Sequence, residues 1–149
     1  MKIMLINGPN LDLLGKREPA VYGGETLYGI LDNVQNRAME LGVSVESRQS
    51  NIEGELVGWL GHADEVCDAV IFNPGAYTHT SIALRDAITA SGIPCVEVHI
   101  SNIYSREEFR HTSLTAAVST GVLSGFGGYG YIMALEAVVR LLKEKNSDA

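Results

Sequence analysis

Along this chain, short apolar runs of strand length alternate with longer stretches in which apolar residues recur every three or four positions. Residues 2–6 form the first run, which stops at Asn7-Gly8-Pro9-Asn10, a loop signal. Between residues 25 and 41 the period changes. Leu27, Ile30, Leu31, Val34, Ala38 and Leu41 fall on one helical face, and Gly42 follows as a stop. Residues 43–49 alternate as a strand does, with Val43 and Val45 on one side. A second helix is predicted over residues 53–67, where Leu56, Leu60, Ala63 and Cys67 are in register, and His62 lies on its surface.

Residues 68–72 are apolar again and break at Asn73-Pro74-Gly75. Residues 81–91 read as a helix set between Thr80 and Gly92, with Pro94 just beyond. Strands are predicted at residues 95–100 and at Gly121–Ser124, and a last helix at residues 131–142. The polar tail, residues 143–149, is expected to fray. Short strands alternating with helices imply a parallel sheet covered on both faces. The expected architecture is an α/β, flavodoxin-like, doubly wound five-stranded sheet in one domain over residues 1–149.

Composition narrows the function classes. The 149 residues are 46% hydrophobic and 19% charged, enough for one core and no case for disorder. Eighteen acidic against eleven basic residues give a net charge of −7, which argues against nucleic-acid and anionic-membrane partners. No apolar run approaches the roughly 18–20 residues of a membrane span, and the first strand reaches Asn7 too soon for a secretory signal. Cys67 and Cys95 lie in apolar segments without a CxxC, which suits reduced, buried thiols in a cytoplasmic protein. His62, His79, His99 and His111 lack metal-ligand spacing, so no metal is expected.

Ligands of open parallel sheets bind beyond the carboxyl ends of the strands. That rule selects residues 7–22, 73–80 and 99–110. The first segment is long for a strand-to-helix connection and carries Asn10, Lys16, Arg17, Glu18 and Tyr22. On the fourth strand Glu97, His99 and Ser101 alternate onto one face of a sheet that should be buried on both. Two readings stand there: a structural Glu–His contact, or a pair that fixes the imidazole tautomer and makes its other nitrogen an acid.

Tyr22 likewise reads either as a packing residue or as a base. A guanidinium such as Arg17 at ~4 Å and an effective dielectric of ~20 interacts with a phenolate by about 4 kcal/mol. That is enough to lower the tyrosine's pKa by a useful amount. Gly125-Phe126-Gly127-Gly128-Tyr129-Gly130 matches GxGxxG, but the acidic residue of a dinucleotide site would fall at the chain end with no strand to carry it. Close helix–sheet or subunit packing is the expected use of these glycines.

Together the loops resemble a known family. Asn7-Gly8-Pro9-Asn10-Leu11-Asp12-Leu13-Leu14-Gly15-Lys16-Arg17-Glu18-Pro19 with Tyr22-Gly23 closely resembles the first motif of type II 3-dehydroquinate dehydratases. Gln49-Ser50-Asn51-Ile52-Glu53-Gly54-Glu55-Leu56 is similar to the second, and Asn73-Pro74-Gly75-Ala76-Tyr77-Thr78-His79-Thr80 with Ala83-Leu84-Arg85-Asp86-Ala87 to the third. Glu97-Val98-His99-Ile100-Ser101-Asn102, Phe109-Arg110-His111 and Gly125-Phe126-Gly127 complete the series, which covers nearly the whole chain.

The resemblance implies reversible dehydration of 3-dehydroquinate to 3-dehydroshikimate, without a cofactor, in a homo-oligomer that is usually a dodecamer of trimers. It implies that Tyr22 removes a C2 proton with Arg17 lowering its pKa, and that Asn10 helps hold the water stabilising the enolate. His99, oriented by Glu97, is implied to protonate the departing C1 hydroxyl. The substrate carboxylate is implied to bind at Ile100 and Ser101, and the ring hydroxyls at Asn73, His79 and Arg110. Asp86 is implied to reach in from a neighbouring subunit. Ile52, Asp12 and Thr112 depart from residues common in the family, and activity is expected to survive all three.

The alternative is a non-catalytic flavodoxin-like binding or scaffold protein. A receiver domain needs a phosphoacceptor aspartate where this chain has Asn73, and a flavin module needs phosphate-cradling hydroxyls where it has Asn7-Gly8-Pro9-Asn10. An inactive scaffold relative is disfavoured by the joint presence of Asn10, Arg17, Tyr22 and His99.

Overall fold

The computed structural model describes residues 1–16, 20 and 24–148. Five strands, β1 (Lys2–Asn7), β2 (Ser44–Gln49), β3 (Ala69–Asn73), β4 (Cys95–His99) and β5 (Gly121–Ser124), form one sheet in the order β2-β1-β3-β4-β5. Every neighbouring pair is parallel. This is the doubly wound, flavodoxin-like arrangement. The helices are α1 (Leu27–Leu41), α2 (Glu53–Gly61), α3 (Ile82–Ser91) and α4 (Tyr129–Ser147), joined by several short 3-10 turns.

Alternation along the strands divides the core. Ile3, Leu5, Ile71, Val96 and Val98 pack against Ile30 and Val34 of α1 and against Ala134, Leu135 and Val138 of α4. Met4, Ile6, Val70 and Phe72 face the other way, onto Leu56 and Leu60 of α2 and Leu84 and Ile88 of α3. The central strands β1, β3 and β4 are buried on both sides, as a covered parallel sheet requires. Cys67 and Cys95 are both free and buried, and burial pushes the Cys95 thiol up to about 12.

Element boundaries differ from the sequence expectation where capping decides them. Helix α1 begins at Leu27 rather than residue 25, because Thr26 Oγ1 accepts the Gly29 amide and caps the first turn. Helix α2 stops at Gly61, six residues early; Gly54, Gly58 and Gly61 lower its helix propensity, and the chain continues as a 3-10 turn at Ala63–Glu65. His62 therefore sits just past the helix, exposed. Helix α4 extends at both ends, and residues 143–147, expected as a frayed tail, are helical. Arg140 and Glu144 pair there at i,i+4, and no glycine or proline intervenes.

The glycine-rich segment before α4 is used for packing. Gly125 N donates to the His99 carbonyl and Gly127 N to that of Ile100, which ties the end of β5 to the end of β4. Gly125 and Gly127 both adopt positive φ. An added Cβ at Gly125 would lie 3.0 Å from Asn102 Cβ and one at Gly128 2.9 Å from Ile30 Cγ1, whereas at Gly130 it would make only ordinary contact with Val98.

At the other central crossover, Gly8 leaves β1 with its amide on the Asn73 carbonyl at 2.8 Å, and a Cβ there would stand 2.4 Å from the Pro74 oxygen. Backbone cannot yield as a side chain does. Gly8→Ala is accordingly expected to lower stability by about 1–3 kcal/mol in urea unfolding; an unchanged midpoint would show that the two loops are not packed this tightly.

Candidate active site

Strand order reverses between β1 and β3, where Asn7 and Asn73 stand opposite each other in register at the strands' carboxyl ends. Both side chains are buried and tied to α4. Gly75 N donates to Asn73 Oδ1, so the Asn73 amide must present its Nδ2, which donates to Tyr131 Oη at 2.8 Å. The Tyr131 hydroxyl in turn donates to Asn7 Oδ1 at 2.6 Å. Complete burial raises the Tyr131 pKa, so it remains a hydroxyl donor.

Beside this crossover lies a cavity of about 160 Å³ walled by the ends of three strands. Pro9, Asn10 and Leu11 come from the loop after β1, and Asn73, Gly75, Ala76 and His79 from the turn after β3. His99, Ile100, Ser101, Ile103, Arg106 and Arg110 come from the segment after β4. The volume is below the roughly 300–1,000 Å³ of sites for drug-sized ligands, which suits a small molecule. In a chain of net charge −7 this cavity gathers two arginines and two histidines, and among the described residues no carboxylate lines it.

His99 and Glu97 meet as their alternation on β4 requires: His99 Nε2 lies 2.9 Å from Glu97 Oε2, with both side chains buried. Glu97 also accepts hydrogen bonds from Ser113 Oγ on Oε2 and from Thr115 Oγ1 on Oε1. Burial pushes the Glu97 carboxyl up, but the bonds from His99, Thr115 and Ser113 and the His99 charge outweigh it and hold the group below the usual carboxylate range. The ionised carboxylate only accepts, so His99 Nε2 carries hydrogen and Nδ1 is the remaining ring nitrogen.

His79 donates from Nδ1 to the Thr112 carbonyl at 2.8 Å, which leaves its Nε2 as the acceptor. Desolvation lowers its pKa, aided by the His99 and Arg110 charges and against the pull of the Thr112 carbonyl. Asn10 is held with φ at 66°, its amide on Asn51 Oδ1 at 2.9 Å. Arg110 is steered by Glu107 at 2.7 Å.

Of the residues named from sequence, Asn10, Asn73, His79, His99, Ile100, Ser101 and Arg110 line this one cavity, and Glu97 stands behind His99. Asp86 is exposed on α3 and does not line it within the chain. Arg17 and Tyr22 lie outside the described residues. Sequence reasoning missed Arg106, which lines the cavity with Nη1 3.5 Å from Ser101 Oγ, and the Ser113 and Thr115 hydroxyls. Arg106 fell within a segment already selected by the strand-end rule; the two hydroxyl residues carried no periodic or motif signal. Of the departing residues, Ile52 is exposed beside α2, Asp12 is exposed, and Thr112 contributes its backbone carbonyl to His79.

Because its folded pKa lies below the unfolded value of roughly 4.3, Glu97 contributes stability above that pH and loses it as pH falls through the folded pKa. Glu97→Gln should therefore flatten the acid-side loss of stability below about pH 4 in urea melts taken across pH. An acid limb as steep as that of the unsubstituted protein contradicts the assignment.

Comparison with known proteins identifies the family. The family model for Dehydroquinase class II matches residues 1–139. The 3-dehydroquinate dehydratase 1 of Agrobacterium fabrum is 59% identical over 136 residues, covering 91% of this chain and 94% of the relative. The 3-dehydroquinate dehydratase of Pelotomaculum thermopropionicum is 57% identical over 141 residues, covering 95% and 98%. The crystal structure of the type II dehydroquinase from Butyrivibrio crossotus matches with a TM-score of 0.90 at 44% identity, over 93% of this chain and 97% of that one. A family model that spans most of the sequence, with relatives this similar along nearly their full lengths, means that the chain belongs to the class II dehydroquinase family.

Proposed function

We propose that the protein dehydrates 3-dehydroquinate to 3-dehydroshikimate, reversibly and through an enolate. The observation that carries this reading is the cavity at the carboxyl ends of β1, β3 and β4. It sets His99, backed by an ionised Glu97, in one wall with Ser101 and Arg110, and Asn73 and His79 in another. Removal of a proton alpha to a ketone and loss of a beta hydroxyl need a base, a stabilised enolate oxygen and an acid. A small anionic polyol needs cations and hydrogen-bond partners around it.

In this scheme the substrate carboxylate lies against Ile100 and Ser101, and its ring hydroxyls meet Asn73, His79 and Arg110. Tyr22 takes the C2 proton, its phenol made more acidic by Arg17, and a water held by Asn10 stabilises the enolate oxygen. The imidazolium form of His99 gives its Nδ1 proton to the departing C1 hydroxyl, which leaves as water. Glu97 keeps the ring fixed while that proton moves. Asp86 completes the site from a neighbouring copy of the chain, which requires a homo-oligomer, and a dodecamer of trimers in the cytoplasm is the assembly we favour. Among the described residues no cluster of His, Cys, Asp or Glu could hold a metal ion, and no helix is long and apolar enough to cross a membrane.

Addition of 3-dehydroquinate to the purified protein should produce the ultraviolet absorbance of a conjugated enone. Tyr22→Phe should reduce that rate at least about 10²-fold, the lower end of what a general base supplies, while a substrate analogue still binds. A near-normal rate would remove Tyr22 as the base, and no enone from the unsubstituted protein would sink the dehydratase reading.

A further inference from the structure

Behind the cavity, three hydroxyl side chains from two segments converge on Glu97. Thr78 belongs to the turn after β3, and Ser113 and Thr115 to the stretch that leads into β5. Thr78 Oγ1 lies 2.7 Å from Ser113 Oγ and 2.8 Å from Thr115 Oγ1, and both of those hydroxyls reach the carboxylate. Thr78, Thr115 and Glu97 are fully buried. Three hydroxyl protons are available. Ser113 and Thr115 spend theirs on Glu97, so the Thr78 proton runs to one of them and all three point toward the carboxylate.

Backbone contacts clamp the same stretch in place. Leu114 N donates to the Thr78 carbonyl at 2.7 Å, Arg85 Nη1 donates to the Leu114 carbonyl at 3.0 Å, and the Thr112 carbonyl takes the His79 Nδ1 proton. One strap, residues 112–115, thus touches both cavity histidines, His79 directly and His99 through Glu97.

We propose that Thr78, Ser113 and Thr115 are positioning residues whose hydroxyls keep Glu97 a pure proton acceptor, so that His99 holds its Nε2 proton and offers only Nδ1 to substrate. With His99 and Ser113 on Oε2 and Thr115 on Oε1, donors fill three of the carboxylate's roughly four acceptor positions and favour its ionised form. The low carboxyl pKa is the consequence. The other groups near the pair do not replace the hydroxyls. His79, Arg106 and Arg110 line the same cavity, and Cys95, pushed up to about 12, brings no charge. The kinetic consequence rests on the dehydratase reading; the proton inventory of Glu97 does not.

The test compares Thr115→Val, which removes the hydroxyl at nearly constant volume, with Thr115→Ser, which restores it. Two readouts are taken: dehydration kinetics, and NMR titration of the ¹³C-labelled Glu97 carboxyl. Thr115→Val should lower kcat about tenfold with KM within about twofold and move the Glu97 titration upward by about one pH unit. Thr115→Ser should return both toward the unsubstituted protein. If Thr115→Val does not fold, Ser113→Ala removes a donor from the other oxygen and is expected to shift the same two readouts. Unchanged kcat and unchanged Glu97 titration in a folded variant overturn the proposal, as does a loss that the serine fails to rescue. A shifted titration in a protein inert toward 3-dehydroquinate supports the hydroxyl assignment and overturns the dehydratase reading alone.

Discussion

The site depends on one buried negative charge. Glu97 is fully inaccessible in the middle strand region of a sheet covered on both faces, where an unpaired carboxylate would cost several kcal/mol. Three donors satisfy it, brought by two pieces of the fold. His99 comes from two residues along the same strand, and Ser113 and Thr115 come from a strap fastened to the turn after β3. Satisfying that charge fixes the orientation of His99, and the strap that does so also fixes the tautomer of His79. The cavity's acid–base character follows from the solution to a burial problem.

The doubly wound sheet supplies the place where this happens. Parallel strands put all their carboxyl ends on one edge, and the reversal of order between β1 and β3 leaves a crevice there. Asn7, Asn73 and Tyr131 join the ends of β1 and β3 to α4 with a defined run of hydrogen bonds, and Gly8 and Gly75 let the loops after β1 and β3 approach each other closely. Arg106, Arg110, His79 and His99 gather on that edge of a chain whose net charge is −7, with Glu107 2.7 Å from Arg110.

The periodicities of the sequence carried most of the architecture, because strands with a period of two and helices of 3.6 leave different apolar stamps. Boundaries were legible only where a cap or glycine marked them: Gly42 and Gly92 end α1 and α3 as read, whereas α2 stops at Gly61 although Cys67 continues the helical spacing and is buried. The end of α4 was misjudged because polar residues were read as a tail, although Arg140, Lys143, Glu144 and Lys145 are good helix formers.

Within the site, Glu97 and His99 declared themselves by polar alternation in an apolar strand. Ser101 shares that alternation and Asn10 was marked by the long first loop; Asn73, His79, Ile100 and Arg110 were singled out through the family resemblance, and all six line one cavity. The hydroxyls of Thr78, Ser113 and Thr115 were invisible, since small polar residues in irregular segments have no period and their partners lie far along the chain.

The central claim is that His99, backed by Glu97, supplies the proton to the leaving hydroxyl while a separate group takes the C2 proton. It is tested most directly by incubating folded His99→Ala with 3-dehydroquinate in deuterium oxide and following the substrate by NMR and the enone by absorbance. The account predicts deuterium entering at C2 while enone formation falls by at least about 10²-fold, because enolate formation survives without the acid. Enone formation at the unsubstituted rate would contradict it.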